Sequence, residues 1–583
     1  MLSPSLAATV YQGVLQGTLR VTLNDDFRDE ATEFRHRRLD FFERFFYPWY
    51  AFEADLKWLR SAYRDLDNLH GFGSLPFDEV RIPVVGQAAF NIELGRLGNY
   101  VTLDRTENAI FFWGRVPLLV LLNGLSELEN APPEQTYLDL GTPLRAGTGT
   151  QAINVDLDSL LSQTEANVSK AKCGAAMVDM GEGATHGPND YNGLLRHAVT
   201  NNIDLSGHAK KVLATLLERI GPRLSEVTVS CALVRPPAQA ITSGTGCFDQ
   251  ATTVELLDAL KALEPQLNSD NKPAAVNISL GTHVGPHNGD SPLEEYISTK
   301  LAIPYDRFIV VAAGNDGGSG LAAKRILEAG SREYLKLRTG PRCLDLLVEF
   351  WWYEPESSNL VIEVEVYERN NSGGRRQVGA TRLRSGKTHQ TLSAGHMGFP
   401  SVFTAQALFH SKCRNDLSCV AFSLSRLAAQ LPILDIEFAL ECSADTVVNA
   451  WIVLCEADPE TTFIQGDADG TVRVPATANH VVSVAGNDTN GRMWINSSRG
   501  PCADYSNGAT ERTPLMSHLA NRGTEAGTSF ASPRACGDLL ETVADPQALA
   551  KCADGTDLVC ERYSLTRATA PWNKRSGYVR VTA

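Results

Sequence analysis

The chain has no apolar run near the roughly 18–20 residues that a membrane-spanning helix needs. It has no excess of basic residues and no closely spaced cysteine pair of the zinc-binding kind. The first absence argues against a helical membrane span. The second reflects 53 Lys and Arg against 68 Asp and Glu, a formal charge of −15; general nucleic-acid binding needs a basic footprint. The 12 cysteines are scattered, several within apolar strands (Cys231, Cys343, Cys455). Without CxxC pairs they read as buried free thiols rather than metal ligands. Met1 to Leu19 lacks the basic segment and apolar core of a secretion signal, so the expected location is cytoplasmic.

What is present is ordinary for a soluble globular protein: 43% hydrophobic and 21% charged residues over 583 positions. That length predicts two to four domains. Residues 1–135 carry no chemical motif. Phe27 to Leu66, rich in aromatics and arginines (Arg35, Arg37, Arg38, Phe41, Phe45, Trp49), has the spacing of helices with one apolar face. Such a face either packs on a neighbouring layer or docks a partner or a membrane. Ala88 to Leu103 and Ala109 to Leu119 read as strands or strand–helix units, and Leu118 to Leu128 as a helix that Pro132-Pro133 ends. The block is expected to be an N-terminal α+β region, prodomain-like or an adaptor.

From Lys172 strands and helices alternate, the mark of a parallel α/β sheet. Cys173 to Val178 is a small apolar strand ending at Asp179-Met180-Gly181. Asp204 to His208 opens a helix with Val212, Leu213, Leu216 and Leu217 on one face. Val227 to Val234 is a strand, Thr252 to Leu263 a helix, Ala274 to Leu280 a strand. Phe308 to Ala313 is a buried strand turning at Gly314-Asn315-Asp316-Gly317. Near the end, Gly527-Thr528-Ser529-Phe530-Ala531-Ser532-Pro533 marks a loop giving way to a helix, with Pro533 in its first turn and Ala535, Leu539, Leu540 and Val543 on its apolar face. A hydroxyl there faces free N–H groups and the positive helix end, which suits a serine that must generate an oxyanion.

These pieces, in this order, resemble the subtilases, the subtilisin-like serine proteases. The resemblance rests on Asp179-Met180-Gly181, His208, Ser279-Leu280-Gly281, Ala312-Ala313-Gly314-Asn315 and Gly527 to Pro533. Weaker echoes are Ser497-Ser498-Arg499-Gly500-Pro501 and Gly577-Tyr578-Val579-Arg580-Val581. It covers roughly 170–330 and 460–583, and the order Asp, His, Ser is that of subtilisin. The resemblance implies a serine endopeptidase with Ser529 as nucleophile, His208 as general base and then acid, and Asp179 orienting the imidazole. Asn315 would be the side-chain oxyanion donor. Ser279, Leu280 and Gly281 would pair with substrate backbone and form one wall of the main specificity pocket.

His186 also follows Asp179, by 7 residues, before Gly187-Pro188; many subtilases carry a non-catalytic histidine there. His208 lies 29 residues on, near the subtilisin spacing, and is preferred. Two features depart from the family. Its His-Gly-Thr is here His208-Ala209-Lys210, and Thr513-Pro514-Leu515-Met516 stands where a Pro-Asp and Ala-Pro-Gly approach to the serine is usual. Ala209-Lys210 favours the alternative, a catalytically silent subtilase-fold pseudoprotease acting as a binding or scaffold module, whereas the intact Asp-His-Asn-Ser set favours the protease. A third reading is a self-processing protein that releases the N-terminal block.

Between Asn315 and Ser529 the separation is far longer than in compact subtilases. Leu344 to Tyr353, Leu360 to Glu368, Ile433 to Leu440 and Val447 to Leu454 have strand patterning, predicting an inserted, jelly-roll-like antiparallel β-sandwich, as in some bacterial subtilases. The expected division is 1–135, N-terminal region; 136–334, first catalytic part; 335–456, inserted sandwich; 457–583, second catalytic part. His283, Pro286, His287 and Asn288 read as a polar surface turn whose histidines could take an adventitious metal. No cofactor is expected, and no loop supports a structural calcium. The expected partners are a protein or peptide substrate and, through residues 1–135, a regulatory protein.

Overall fold

The structure is a computed structural model. It describes residues 81–89, 94–106, 109–117, 136–139, 144, 157–164, 170–181, 195–196, 207–234, 251–269, 272–302, 306–341, 343, 345–353, 360–369, 373–384, 389–393, 403–414, 417–426, 433–455, 460–501, 503, 513–566 and 572–581. The helices expected in Phe27 to Leu66 and Leu118 to Leu128, and His186, lie outside them.

Runs of small and β-branched residues bounded by glycine form the expected parallel sheet. Its strands are β1 (Cys173–Met180), β2 (Val227–Val234), β3 (Ala274–Ile278), β4 (Arg307–Ala312), β5 (Val482–Asn487), β6 (Met516–Leu519) and β7 (Val579–Arg580). They lie side by side in the order β2-β1-β3-β4-β5-β6-β7, all parallel. Leu195–Arg196 adds a short antiparallel edge beside β2. Strands β1 to β4 are almost wholly buried, as a sheet covered on both faces requires. Helices α1 (Gly207–Ile220) and α3 (Thr528–Val543) cover one face in a shared cluster with Met177, Leu216, Phe530 and Leu540. Helix α2 (Thr253–Ser269) covers the other. Because β1 has β2 on one side and β3 on the other, the order reverses there. Open α/β sheets bind ligands outside the strand C-termini at such a point.

Two antiparallel sheets enclose a separate core containing Phe350, Val420, Phe422 and Phe438. One runs, in spatial order, Ala322–Leu327, Thr446–Cys455, Asp345–Tyr353, Leu417–Arg426, Phe403–Arg414, His389–Ser393. The other runs Arg375–Arg384, Leu360–Arg369, Leu434–Cys442, Arg332–Arg338, Thr462–Phe463. Leu360–Arg369 alternates buried and half-buried positions, as a strand with one core face must. The strands thus extend from Ala322 to Phe463, beyond both expected limits, 335 and 456. Ala322–Leu327 carries Lys324 and Arg325 in its middle, and Thr462–Phe463 is two residues long, so neither shows an apolar strand pattern.

A third antiparallel sheet, in the order Val101–Arg105, Ala109–Pro117, Arg81–Ala89, Thr136–Asp139, packs on α2 and on the short helix Pro292–Tyr296. Trp113 is fully buried there: its indole N–H donates to Asp258 Oδ1 at 2.7 Å, and its ring meets Tyr296 edge-on at 5.2 Å. Arg115 Nε donates to Glu255 Oε1 at 2.6 Å. The free cysteines among the described residues, Cys173, Cys231, Cys343, Cys419, Cys442, Cys536, Cys552 and Cys560, are buried except for partly exposed Cys552. Burial pushes the Cys231 thiol up to about 12, so it is inert at neutral pH.

Candidate functional site

Three sheet-end positions converge. Asp179 is the penultimate residue of β1, fully buried, and its Oδ1 accepts the Met180 N–H at 2.7 Å. His208 is the second residue of α1, and its Nδ1 lies 3.1 and 3.0 Å from the two Asp179 oxygens. Burial works to lower the His208 pKa, but the Asp179 charge and hydrogen bond outweigh it and raise the group above its ordinary value. Lys211 opposes that rise and Glu525 supports it. The other ring nitrogen, Nε2, is buried and has no hydrogen-bond partner among the described residues. Ala209 is fully buried in the core cluster, and the neighbouring His208 keeps its contact with Asp179.

Ser529 is the second residue of α3, and Gly527 is the N-cap. The rings of His208 and the next residue, Phe530, are 6.0 Å apart between centroids. No hydrogen bond joins the Ser529 hydroxyl to His208 among the described residues; catalytic contacts of this kind often close only around a substrate. Pro533 is not in the first turn, as expected, but inside the helix. Lacking an N–H, it leaves the Ser529 carbonyl without its intrahelical donor. The Ser279 hydroxyl donates to that carbonyl at 3.2 Å. Asn277 Nδ2 donates to Ser279 Oγ at 3.0 Å, and Ser532 Oγ donates to Asn277 Oδ1 at 2.5 Å.

Asn315 follows β4 on the Gly314 turn. Its Oδ1 accepts from the Thr528 backbone N–H at 2.9 Å and from the Thr528 hydroxyl at 3.0 Å. A backbone N–H can only donate, so the side-chain atom facing it is the oxygen and Nδ2 is the free donor end. Thr528 Oγ1 also accepts the Gly314 N–H at 3.1 Å. Gly314 has φ +112, a backbone region that favours glycine. The helix start thus sets the amide of the asparagine. Thr528 lay inside the serine motif, but its contact with Asn315 had no sequence signal.

Ser279, Leu280 and Gly281 continue beyond β3, and Thr282 exchanges two backbone hydrogen bonds with Val474, at 2.8 and 2.9 Å. His283 and His287 do not form a surface turn: they are 4% and 1% exposed. The inserted sandwich covers them. Trp451 stacks on His287 at 4.2 Å, and Glu349 Oε2 accepts the Gly285 N–H at 3.0 Å. Burial, then His283, pushes His287 down to about 3. Its Nδ1 is 2.7 Å from the Val472 carbonyl and its Nε2 is 2.9 Å from that of His283; a neutral ring can donate to only one of them. Among the described residues no group of three or more His, Cys, Asp or Glu is placed to hold a metal, and no helix is long and apolar enough to cross a membrane.

Sequence reading also missed the ion pairs around the site. Lys211, buried one turn beyond His208, reaches Glu525 at 2.6 Å in the short hairpin before Gly527. Arg522 of that hairpin grips Glu218 of α1 at 2.7 and 3.0 Å. On α3 itself, Asp538 accepts from Arg219 of α1 and lies 3.1 Å from His518 of β6.

No protein-family description matches the chain, and no curated protein matches it. Among solved structures it is similar in fold to the CspB protease of Clostridium perfringens. The two share 19% identity at a TM-score of 0.50, over 71% of this chain and 92% of that one.

Proposed function

We propose that the chain is a subtilisin-like serine endopeptidase. The observation that carries this is the His208 imidazole: one nitrogen lies on the Asp179 carboxylate, the other is buried with no partner among the described residues, and the ring stands 6.0 Å from that of Phe530, the neighbour of Ser529. The name of the similar solved protein agrees. In this reading Asp179 fixes the tautomer, so that Nε2 is the basic atom, and it stabilises the imidazolium once formed. His208 Nε2 takes the Ser529 proton as Oγ attacks the substrate carbonyl carbon. The resulting oxyanion receives Asn315 Nδ2–H and the Ser529 N–H, which lies in a first helical turn with no intrahelical acceptor. His208 then protonates the leaving amine, and water repeats the sequence on the acyl-enzyme. A side-chain donor of the Asn315 kind is worth about 10²–10³ in kcat in subtilisin.

Ser279, Leu280 and Gly281 are assigned to the substrate backbone, as a strand added beside them. The division at 135, 334 and 456 is kept as a proposal, with the sandwich strands reaching further on both sides. The N-terminal sheet, held by Trp113 and Arg115 on α2, supports a regulatory role for residues 1–135. No cofactor enters this chemistry, and the location is proposed as cytoplasmic.

The test is a fluorophosphonate probe on wild type, Ser529→Ala and His208→Ala. Labelling mapped to Ser529 and lost in both variants is the expected result. Silence in folded wild-type protein, persisting after removal of residues 1–135, would overturn the proposal in favour of the pseudoprotease.

A further inference from the structure

One side chain from a distant segment lies between Gly281, in the segment assigned to substrate backbone, and Gly314, next to Asn315. If the acyl carbon of a substrate sits at Ser529, with its oxygen on Asn315 and its backbone along Ser279–Gly281, its own side chain must enter between segments 279–281 and 313–316. Arg473 fills the gap between those segments. A Cβ built on Gly281 would meet Arg473 Cβ at 3.1 Å and Cδ at 3.4 Å; one built on Gly314 would meet Cγ at 2.9 Å and Cδ at 3.1 Å. The arginine methylenes thus lie close against both glycines, closest to Gly314.

The arginine is held from its backbone outward. Its N–H donates to the Ala313 carbonyl at 2.9 Å, and the adjacent Val474 pairs with Thr282. The guanidinium grips Asp316 as a fork, Nε at 2.5 Å and Nη2 at 2.8 Å, and His283 Nε2 stands 2.9 Å from the same carboxylate. Burial pushes the Asp316 carboxyl up, but Arg473 and then His283 outweigh it and hold it well below the usual carboxylate range. The pair is thus a neutral, geometrically fixed unit, with the Arg473 side chain only 14% exposed. Its charge is spent on Asp316 and is not offered to an acidic substrate.

We propose that Arg473, fixed by Asp316, is the floor of the pocket for the residue on the acyl side of the cut, and restricts that residue to small uncharged side chains such as alanine or glycine. The inference rests on the protease reading and names its substrate class. A filled pocket cannot take a benzyl group without displacing the arginine from its carboxylate. Differences of this kind in pocket volume discriminate substrates by about tenfold or more.

Peptidyl phosphonates ending in alanine or phenylalanine test it, with a fluorophosphonate lacking such a side chain run in parallel. Wild type should react with the alanine probe at least about tenfold faster than with the phenylalanine probe. Arg473→Met keeps the filling methylenes without the fork and should retain that preference. Arg473→Ala combined with Asp316→Asn, which opens the gap without stranding a buried carboxylate, should lower the ratio by about tenfold or more. Equal rates for both probes in wild type, or an unchanged ratio in the double variant while the fluorophosphonate still labels Ser529, would overturn the inference alone. Absence of fluorophosphonate labelling in wild type would remove the protease reading and this inference with it.

Discussion

The Ser279 hydroxyl donates to the carbonyl of Ser529 at 3.2 Å, replacing the helical hydrogen bond that Pro533 cannot make. The segment assigned to substrate backbone is therefore fastened directly to the residue assigned as nucleophile. Ser279→Ala should cost about 1 kcal/mol of stability, the usual value of one such bond. In a Pro533→Ala background the restored N–H can serve the Ser529 carbonyl, and the Ser279→Ala penalty should shrink. Denaturant titration of the four proteins measures this coupling; equal penalties in both backgrounds would contradict it.

The pH dependence of turnover should report on the buried charges around His208. As the proposed base, His208 must be neutral, and its pKa is raised above the ordinary 6.5 by Asp179 against the effect of burial. The acid limb of kcat/KM should accordingly lie above 6.5. Lys211 disfavours the imidazolium and Glu525 favours it. Lys211→Met should move the limb to higher pH and Glu525→Gln to lower pH, with the double variant between them. Limbs that stay in place would show that this pair does not act on the imidazole.

Asp538 ties α3 to α1 and β6. Burial pushes its carboxyl up, but His518 and Arg219 outweigh that and bring it down to about 2. A depressed folded-state pKa stabilises the protein above the unfolded value of about 4 and loses that contribution as pH falls toward 2. Asp538→Asn should cost about 2 kcal/mol at pH 7. In urea titrations across pH, its deficit relative to wild type should narrow below about pH 4. A deficit independent of pH would assign the loss to packing.

The sequence by itself determined the parallel sheet, its flanking helices and the candidates Asp179, His208, Asn315 and Ser529. The sheet and helices follow from features local in the chain: glycine turns, short apolar strands and helix faces such as Val212, Leu213, Leu216 and Leu217, which are buried as expected; the four candidates follow from the resemblance of the motifs that contain them. Residues whose role depends on distant partners were not legible. Arg473 and Glu525 belong to no motif, and His283 and His287 read as a polar turn, because no pattern in neighbouring residues reveals what folds over them. The inserted sandwich buried the histidines by laying Trp451 and Glu349 against their loop. The crossing of Val472–Val474 beside the Gly314 turn put the Arg473 side chain against Gly281 and Gly314. Local periodicity set the elements. The close approach of segments far apart in sequence decided what the site could hold.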